Sequence, residues 1–455
     1  MSKRYLAIDF GASSVKAVVG EFDGARVKIL ERKRYNNEYL KNNSFYLWNL
    51  GSFVDIVFHA VDWAKEKYNI LSFAIDSWGV DFGIVFKNSP FLIFPFHYRN
   101  MFEHTDIVNK TIKELGGGYF LFKKTGVFPH PYNTLFQIEL LKTLEPRIFY
   151  KHFLILNIPQ LLIYLLGNKE FAEYTLATTT QLYSIENKDW DEEILGFLGI
   201  KKENMGAIRI PAGIAGQFNG VDIINISSHD TACAFNTLPF EDEETLIISS
   251  GSWNVIGVKV DKPILNEDVY KRQFSNEGTF EGKFRLVSNT PGFWILEEIL
   301  RELNYKGKRV DYDMMLKLAS TSTLDDYYVS LKKVDFQTPG NIISKLKNEI
   351  KEIRNINDVI RVALNSVVNE VDIVFRFLKS IVGGLNRVYL VGGGVKNRLF
   401  CKLLSEKLKI PVFTGVSESS AIGNILSQIY IQEKMKSIKD LKTIIKNSFE
   451  LTKIV

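Results

Sequence analysis

A turn of small residues near the N-terminus stands between a carboxylate and a lysine. The stretch YLAIDFGASSVKAVV from Tyr5 has an apolar run ending in Asp9, then Ser13 and Ser14, then an apolar run with Lys16. Free N–H groups in such a turn can cradle an anion, a carboxylate can hold Mg²⁺ through water, and a lysine adds positive charge near phosphate. An ordinary β-hairpin is an equally good interpretation of this stretch alone.

A second stretch in the other half of the chain has the same pattern. LIISSGSWNVIGVKV from Leu246 is again strand, turn and strand, with Gly251 and Ser252 in the turn. The ordinary hairpin is again the alternative. The presence of one such turn in each half indicates phosphate binding more strongly than either turn alone, and it favours a phosphate held by both turns.

Near the C-terminus, LVGGGVKN from Leu390 has a strand that ends in three glycines and opens a helix. This pattern lets the backbone approach a nucleotide near a helix N-terminus. It is neither the G-x-G-x-x-G of a Rossmann site nor a Walker A loop, because no G-K-[S/T] follows. A plain strand-to-helix turn is the alternative.

The candidate general base lies in ISSHDTACAF, where Asp230 follows His229 at the start of a short helical pattern. A carboxylate at a helix N-terminus stays ionised at neutral pH and could accept the proton of a substrate hydroxyl. A weak base suffices for phosphoryl transfer, whose loose transition state needs little early proton removal. The alternatives are an N-cap for Asp230 and a structural role for His229.

A polar turn interrupts two apolar runs in FAIDSWGVDFGIVF. Asp76 and Asp81 could accept hydrogen bonds from sugar hydroxyls, while Trp78 beside Gly79 offers an apolar face. The competing interpretation is a turn with a packed tryptophan. On its own this stretch indicates a sugar site only weakly.

The elements that position these residues read as a mixed α/β chain. Strands dominate the first ninety residues or so, apart from a helix after Asn49 with Ser52 as its cap. Helices dominate from Asn100 to about Gly216, including a buried one in IPQLLIYLLGN. The two similar hairpins indicate a duplicated domain, and the acidic NTLPFEDEETL separates the predicted domains 1–238 and 245–455.

Composition narrows the class of protein. The chain has 455 residues, which favours two domains, and its 57 Lys+Arg against 52 Asp+Glu leave a net charge of +5. This small, dispersed excess predicts neither a nucleic-acid nor a membrane partner. The chain has only two cysteines, Cys233 and Cys401, and neither sits in a C-x-x-C pair, so we expect no disulfide framework or zinc site. With no signal-peptide pattern at the N-terminus, we expect a cytoplasmic protein.

Several segments in a fixed order carry a resemblance to a known family. They are AIDFGASSVKAVV, IDSWGVDF, TGVFPHPYNTLFQ, EYTLATTTQL, DWDEEIL, SSHDTACAF, SSGSWNVIG, SNTPGFW, YLVGGGVKNRLF and ESSAIGNI. The chain resembles the FGGY carbohydrate kinases, and PYNTLFQ, ATTTQL and SHDTA resemble the rhamnulokinase branch of that family. The resemblance implies an α/β, two-domain actin-like ATPase (ribonuclease H-like) fold, with ATP, Mg²⁺ and a sugar in the interdomain cleft.

The resemblance also implies roles for individual residues. Asp230 matches the family's general base, and Asp9 matches its Mg²⁺-associated carboxylate. The sugar-binding residues expected from the motifs are Gly79, Asp81, His229 and Asn289. The nucleotide-binding residues expected from the motifs are Ser13, Ser14, Lys16, Gly251, Ser252, Glu297, Gly393, Gly394 and Asn397.

Three positions depart from the family pattern. Glu297 stands where Gln is frequent, Pro291 stands where a small residue is expected, and Lys16 stands where Gly-Arg is frequent. These departures affect the substrate assignment more than the kinase assignment. The expected reaction converts L-rhamnulose and ATP to L-rhamnulose 1-phosphate and ADP. The alternatives are a kinase for another ketose, such as L-fuculose or L-xylulose, and a non-catalytic sugar or nucleotide sensor or actin-like assembly protein.

Overall fold

The structure is a computed structural model that describes residues 2–11, 14–41, 45–87, 89–150, 152–241, 244–305, 307, 310–333, 336 and 340–454. It divides into two compact units, each assembled from several segments of the chain. The first comprises Met1–Pro239, Lys259–Leu286 and Ser420–Ser448, and the second comprises Phe240–Val258, Val287–Ser419 and Phe449–Val455. The domain limits 1–238 and 245–455 stay a prediction.

Both units mix strands and helices, as predicted from the sequence. The strands are β1 (Lys3–Phe10), β2 (Ser14–Phe22), β3 (Val27–Asn36), β4 (Tyr39–Lys41), β5 (Tyr46–Trp48), β6 (Ser72–Ser77), β7 (Phe82–Phe86), β8 (Ser89–Phe96), β9 (Phe153–Asn157), β10 (Ala172–Glu173), β11 (Tyr183–Ser184), β12 (Asp189–Trp190), β13 (Ile208–Arg209), β14 (Ile214–Phe218), β15 (Val221–Ile224), β16 (Thr245–Ser250), β17 (Trp253–Val260), β18 (Ser275–Gly278), β19 (Phe284–Pro291), β20 (Arg387–Gly392), β21 (Val412–Thr414) and β22 (Thr452–Ile454).

The α-helices are α1 (Leu50–Tyr68), α2 (Thr105–Glu114), α3 (Gly118–Thr125), α4 (Thr134–Leu144), α5 (Ile158–Leu165), α6 (Tyr174–Ala177), α7 (Glu192–Leu198), α8 (Asp230–Phe235), α9 (Glu267–Lys271), α10 (Trp294–Tyr305), α11 (Tyr312–Ala319), α12 (Ile342–Glu349), α13 (Ile356–Val382), α14 (Arg398–Leu408), α15 (Ser419–Gln432) and α16 (Ile438–Ser448). Short 3-10 helices cover Tyr98–Glu103, Pro146–Tyr150, Lys202–Asn204 and Gly393–Lys396.

Besides the two-stranded sheets β10-β13 and β11-β12, the described part of the first unit has two main sheets. The larger has the order β14-β15-β6-β1-β2-β3, in which β1 pairs antiparallel with β2 and parallel with β6. Apolar side chains of β1 and β2 pack with α1 in one buried cluster that includes Ile8, Val19 and Val57. The smaller sheet has the order β4-β5-β8-β7-β9, and its core includes residues of α4 and α7 such as Leu135 and Ile194.

The sheet of the second unit repeats the strand order of the first unit's larger sheet. Within the described residues the sheet has seven strands in the order β18-β19-β17-β16-β20-β21-β22, of which the six from β19 to β22 match the other sheet, with β16 antiparallel to β17 and parallel to β20. In both sheets a hairpin pairs through its first strand with a parallel strand from later in the chain. This shared topology agrees with the similarity of the two hairpins, and the duplicated domain inferred from them stays a prediction.

Helix α15 completes the first unit, although it comes from near the end of the chain. Asn424 and Gln428 are fully buried, and the Nε2 atom of Gln428 donates to the carbonyl of Leu6 in β1 over 2.9 Å. A Cβ atom on Gly423 would lie 1.8 Å from the carbonyl oxygen of Cys233 in α8. Only glycine therefore allows this close approach of α15 to α8.

The prediction that Ser52 caps α1 is wrong. Asn49 is the N-cap residue, and its side-chain oxygen accepts a hydrogen bond from the backbone N–H of Ser52 at 3.3 Å. The predicted buried helix is confirmed as α5, whose residues Ile158–Ile163 are all buried. No helix within the described part of the chain is long and apolar enough to cross a membrane.

Candidate active site

Three charged residues form one row across the middle of the first unit's larger sheet. Asp9 lies opposite Lys16 in the antiparallel pair β1–β2 and opposite Asp76 in the parallel pair β1–β6. Lys16 Nζ lies 3.3 Å from Asp9 Oδ2. Because paired residues in a sheet point to the same face, the three side chains share one face near the carboxyl end of β1.

Lys16 in this row and Ser14 beside it are predicted phosphate contacts of the first unit. A hydrogen bond from Gly11 N to Ser14 O of 3.0 Å ties the residue after β1 to the start of β2. Ser14 is buried at the start of β2. The predicted contact Ser13 lies outside the residues that the structure describes.

Asp76 is a buried carboxylate whose two oxygens differ in their partners among the described residues. Asn424 Nδ2 donates to its Oδ2 over 2.6 Å, while Oδ1 is buried with no hydrogen-bond partner among the described residues. Burial, and next the negative charge of Asp9, raise the pKa of Asp76 well above its usual range. The carboxyl is therefore held toward its protonated form.

Asp230 opens α8 in the same unit. It is the first helical residue, and His229 holds the N-cap position, so Asp230 is not the N-cap. The Asp230 side chain is 23% exposed, and its Oδ1 lies 3.5 Å from Nε2 of His229. Burial, and next the charge of Asp9, raise the pKa of Asp230 to about 7. The prediction that a helix N-terminus keeps Asp230 ionised at neutral pH is therefore wrong, because burial and the charge of Asp9 outweigh it, and the carboxylate can take up a proton near neutral pH.

The β6–β7 turn lies against His229. A Cβ atom on Gly79 would lie 3.0 Å from Thr179 Oγ1 and 3.3 Å from His229 Nε2. The next residue, Val80, has φ 68°, a left-handed conformation that is rare for a β-branched side chain. Thr134 Oγ1 donates to the Val80 carbonyl over 2.6 Å and holds this turn in place.

Asp81 is buried, and protein groups surround its carboxylate. Trp48 Nε1 donates to Oδ2 over 2.7 Å, Trp78 Nε1 donates to Oδ2 over 3.0 Å, and Gln137 Nε2 donates to Oδ1 over 3.0 Å. Burial raises the pKa of Asp81 to about 7 despite these donors. Asp81 therefore orients the indoles of Trp48 and of Trp78, the residue before Gly79, and its direct contact with a sugar stays a prediction.

In the second unit, glycine turns meet around Ser250. Phe293 N donates to the Gly251 carbonyl over 2.9 Å, so the β16–β17 turn pairs with the turn before α10. A Cβ atom on Gly394 would lie 2.4 Å from Ser250 Oγ, and one on Gly392 would lie 2.6 Å from Ser250 O. The hairpin turn and the glycine cluster, far apart in sequence, are thus neighbours.

The other predicted nucleotide contacts lie in this second unit. Ser252 Oγ donates to Glu297 Oε1 over 2.9 Å, and both residues are exposed. The three glycines do not open a helix directly, because Gly393 begins a 3-10 turn that ends before α14. Asn397 caps α14 by accepting from Phe400 N over 2.9 Å.

Asn289, predicted to contact the sugar, also belongs to the second unit. It lies in β19 and is exposed, between the buried residues Ser288 and Thr290. Its side chain is therefore available to a ligand. Its sugar contact stays a prediction.

Three buried polar residues near Asp230 were missed by sequence reasoning. Glu173 accepts from Ser228 N over 3.0 Å and so fixes the chain entering α8, while Thr179 faces Gly79. Arg285 contacts His229 from β19. The one available signal for Arg285 was a cation inside the apolar strand pattern FRLV.

Comparisons with known proteins agree with this organisation. The chain matches the model of the FGGY family of carbohydrate kinases, N-terminal domain, over residues 4–221 and that of the C-terminal domain over residues 246–431. It is 28% identical to a rhamnulokinase of Oceanobacillus iheyensis, covering 99% of this chain and 98% of that relative. A rhamnulokinase of Ligilactobacillus salivarius is 27% identical, and the match covers 99% of this chain and 94% of that relative.

Solved structures resemble the chain in fold. Xylulose kinase from Lactobacillus acidophilus gives a TM-score of 0.80 at 14% identity, covering 99% of this chain and 93% of that one. Plasmodium falciparum glycerol kinase with ADP gives a TM-score of 0.79 at 16% identity, and the match again covers 99% of this chain and 93% of that one. The predicted two-domain actin-like ATPase fold is thereby confirmed. Since the two family models together match most of its length, the chain belongs to the FGGY family of carbohydrate kinases, enzymes that transfer a phosphoryl group from ATP to a sugar.

Proposed function

We propose that this enzyme phosphorylates L-rhamnulose at its primary hydroxyl, giving L-rhamnulose 1-phosphate and ADP. The observation that carries the proposal is the position of Asp230, partly exposed at the start of α8 beside His229, with a pKa raised to about 7. The choice of sugar is supported by the full-length similarity to proteins named rhamnulokinase.

In the proposed reaction, the oxygen of the sugar's primary hydroxyl attacks the γ-phosphorus of ATP. The Asp230 carboxylate accepts the proton that this hydroxyl loses. The bond between the γ-phosphorus and its bridging oxygen breaks, and ADP leaves with that oxygen. Gly79 and His229 would hold the sugar on the first unit, and Asn289 is the proposed contact on the second. Trp78, oriented by Asp81, would pack on the carbon face of the sugar.

For the nucleotide, we propose phosphate contacts from Ser14 and Lys16 in the first unit. Gly251 and Ser252 are the proposed phosphate-side contacts of the second unit. The remaining proposed nucleotide contacts of the second unit are Glu297, Gly393, Gly394 and Asn397. Most of the rate would come from positioning and from neutralising phosphate charge.

The residues around Asp9 fit a magnesium ion held mainly by substrate. No group of three or more His, Cys, Asp or Glu side chains among the described residues is placed to hold a metal. Mg²⁺ in kinases uses one or two protein carboxylates plus phosphate oxygens and water, so a single buried aspartate is sufficient. We propose that Asp9 holds this ion, which would neutralise phosphate charge.

A coupled assay of ADP release tests the proposed substrate. The purified enzyme, with Mg²⁺ and ATP, is offered L-rhamnulose, L-fuculose, L-xylulose, D-xylulose and glycerol in turn. We expect the highest kcat/KM for L-rhamnulose, with phosphorus NMR placing the new phosphate on C1. A tenfold preference for another ketose would reassign the substrate within the same mechanism. Sugar binding without any ADP release would instead favour the sensor interpretation.

A further inference from the structure

A fully buried arginine lies directly behind His229. Arg285 is in β19 with an exposure of 0%, and its Nη2 atom lies 2.5 Å from Nδ1 of His229 and 2.6 Å from Oε2 of Glu277. Its guanidinium carbon lies 5.2 Å from the ring centre of Phe235 in α8. All four residues belong to the first unit.

Stability alone explains this arginine poorly. Its Nε and Nη1 atoms are buried without hydrogen-bond partners among the described residues. A buried cation with unmet donors is costly, even beside a carboxylate, compared with an apolar side chain of the same size. The single well-placed nitrogen, Nη2, is the one that reaches the histidine.

Hydrogen-bond chemistry assigns the proton on His229. A guanidinium is always protonated and has only donors, so Nδ1 must accept from Arg285 and cannot carry a hydrogen itself. A neutral imidazole in that contact carries its hydrogen on Nε2. Thr231 does not select either tautomer, because its hydroxyl oxygen lies 3.3 Å from both ring nitrogens. Burial, followed by the charge of Arg285, holds the pKa of His229 well below its usual range.

The Nε2 atom faces the proposed sugar turn. It lies 3.5 Å from Asp230 Oδ1 and 3.3 Å from the position that a Cβ atom on Gly79 would occupy. We propose that Arg285 is a positioning residue that locks His229 as its Nε2–H tautomer, so that the ring donates a hydrogen bond to an oxygen of the sugar. The sugar part of this inference rests on the proposed function, whereas the tautomer does not.

Glu277 shows what would happen without the arginine. Its Oε2 atom lies 3.6 Å from Nδ1 of His229, close enough to accept a hydrogen from that nitrogen after a small shift. With Arg285 removed, the carboxylate would favour a hydrogen on Nδ1. Nε2 would then become an acceptor, or the ring would become cationic, and the donor to the sugar would be lost or altered.

Nitrogen NMR of the protein labelled with ¹⁵N-histidine tests the tautomer directly. The chain has six histidines, and the signal of His229 is assigned by its disappearance in His229→Gln. At pH 7.5 we expect an unprotonated Nδ1 and a protonated Nε2 in the wild type, and a hydrogen on Nδ1 in Arg285→Met. Adding Glu277→Leu to Arg285→Met should reverse that change, since it removes the carboxylate that would accept the hydrogen from Nδ1.

Steady-state kinetics test the consequence for the sugar. Arg285→Met should raise the KM for sugar about tenfold, the cost of one hydrogen bond, with the KM for ATP within about twofold. Arg361→Met is the matched control, because Arg361 is a buried arginine paired with Asp325 in the second unit. It should change neither the tautomer of His229 nor the KM for sugar.

Three results would overturn the inference. One is a hydrogen on Nδ1 of His229 in the wild type. Another is a folded Arg285→Met protein that keeps the Nε2–H tautomer. The third is a tautomer changed in Arg285→Met with an unchanged KM for sugar, which would remove the role of Arg285 in sugar recognition.

If Arg285→Met fails to fold, the NMR spectra of the wild type and of Arg285→Lys test the inference instead, and both should show a hydrogen on Nε2 of His229. Absence of turnover with every ketose would count against the proposed function and leave the NMR result decisive for the tautomer.

Discussion

Asp9 and Asp76 face each other at the same register of two parallel strands, β1 and β6. Lys16 lies on the other side of Asp9, with its Nζ atom 3.3 Å from Asp9 Oδ2. Asp76 is instead contacted by Asn424, whose Nδ2 atom donates to Asp76 Oδ2 over 2.6 Å. The charge of Asp9 also raises the pKa of Asp230. The row of charges on the sheet and the candidate base on α8 therefore form one electrostatic system.

Asp230→Asn should abolish most turnover without preventing folding. An amide cannot accept the substrate proton, so kcat should fall about a thousandfold, within the usual range for loss of a general base. Sugar affinity, measured by calorimetry, should change little because the side chain keeps its size. Asp106→Asn, at an exposed position of α2, is the control and should retain full activity. Near-normal kcat in Asp230→Asn would remove Asp230 from this role.

Activity should decline in acid as Asp230 becomes protonated. Because its pKa is raised to about 7 and the base must be ionised, kcat/KM for the sugar should fall about tenfold per pH unit below that value. The positive charge of Lys16 lowers the pKa of Asp230, so in Lys16→Met the acid-side fall in kcat/KM should begin at a higher pH. Profiles from pH 5 to 9 at constant ionic strength measure both effects. A profile that stays flat down to pH 5.5 would contradict the assignment.

The same carboxylate should make the folded protein less stable as the pH rises. The pKa of Asp230 is about 7 in the folded state against 3.8 for an ordinary Asp, so between these values the folded state holds the extra proton. The free energy of unfolding therefore falls from about pH 4 to about pH 7. Asp230→Asn does not titrate and should unfold about 2 °C higher than the wild type at pH 8, with nearly equal Tm at pH 4. A lower Tm at pH 8 would argue against a strained carboxylate.

Gly79→Ala should weaken sugar binding. The new methyl group would lie 3.0 Å from Thr179 Oγ1 and 3.3 Å from His229 Nε2, so it would displace one of them from the proposed sugar site. We expect the KM for sugar to rise about tenfold with an unchanged KM for ATP. The control Gly196→Ala lies in α7, where no described atom outside the backbone of its own helix and its chain neighbours lies within 4 Å of the new methyl group, so it should leave kinetics unchanged and stabilise the protein by about 0.5–1 kcal/mol. An unchanged KM for sugar in Gly79→Ala would place the sugar elsewhere.

Glu297→Gln should improve the use of ATP. Glu297 accepts from Ser252 Oγ at 2.9 Å, and glutamine can keep that hydrogen bond while removing a negative charge from the proposed nucleotide site. The KM for ATP should fall about two- to fivefold, as expected for one exposed charge, and this gain should shrink as salt is raised. The KM for sugar serves as the internal control. A weaker affinity for ATP would indicate that the carboxylate itself binds the nucleotide, as at a ribose hydroxyl.

Local patterns made part of this architecture predictable from sequence. The hairpins β1–β2 and β16–β17 follow from apolar runs around short Gly/Ser turns. Contacts between distant segments could not be read in this way. Arg285 reaches His229 across 56 residues, and Asn424 reaches Asp76 across 348. The cap of α1 was misplaced because Asn49 and Ser52 are both good caps, and only the backbone geometry distinguishes them.

The assembly of the first unit from three separate segments has a consequence during translation. Its sheet acquires α15 only after residues 420–432 have left the ribosome, long after β1 and β6 have been synthesised. Until then Asp76 lacks its amide partner, and the backbone of Cys233, against which Gly423 packs, is not covered by α15. Because contacts across so many residues close slowly, nascent chains of this enzyme should wait for the final tenth of the polypeptide before this unit becomes resistant to protease.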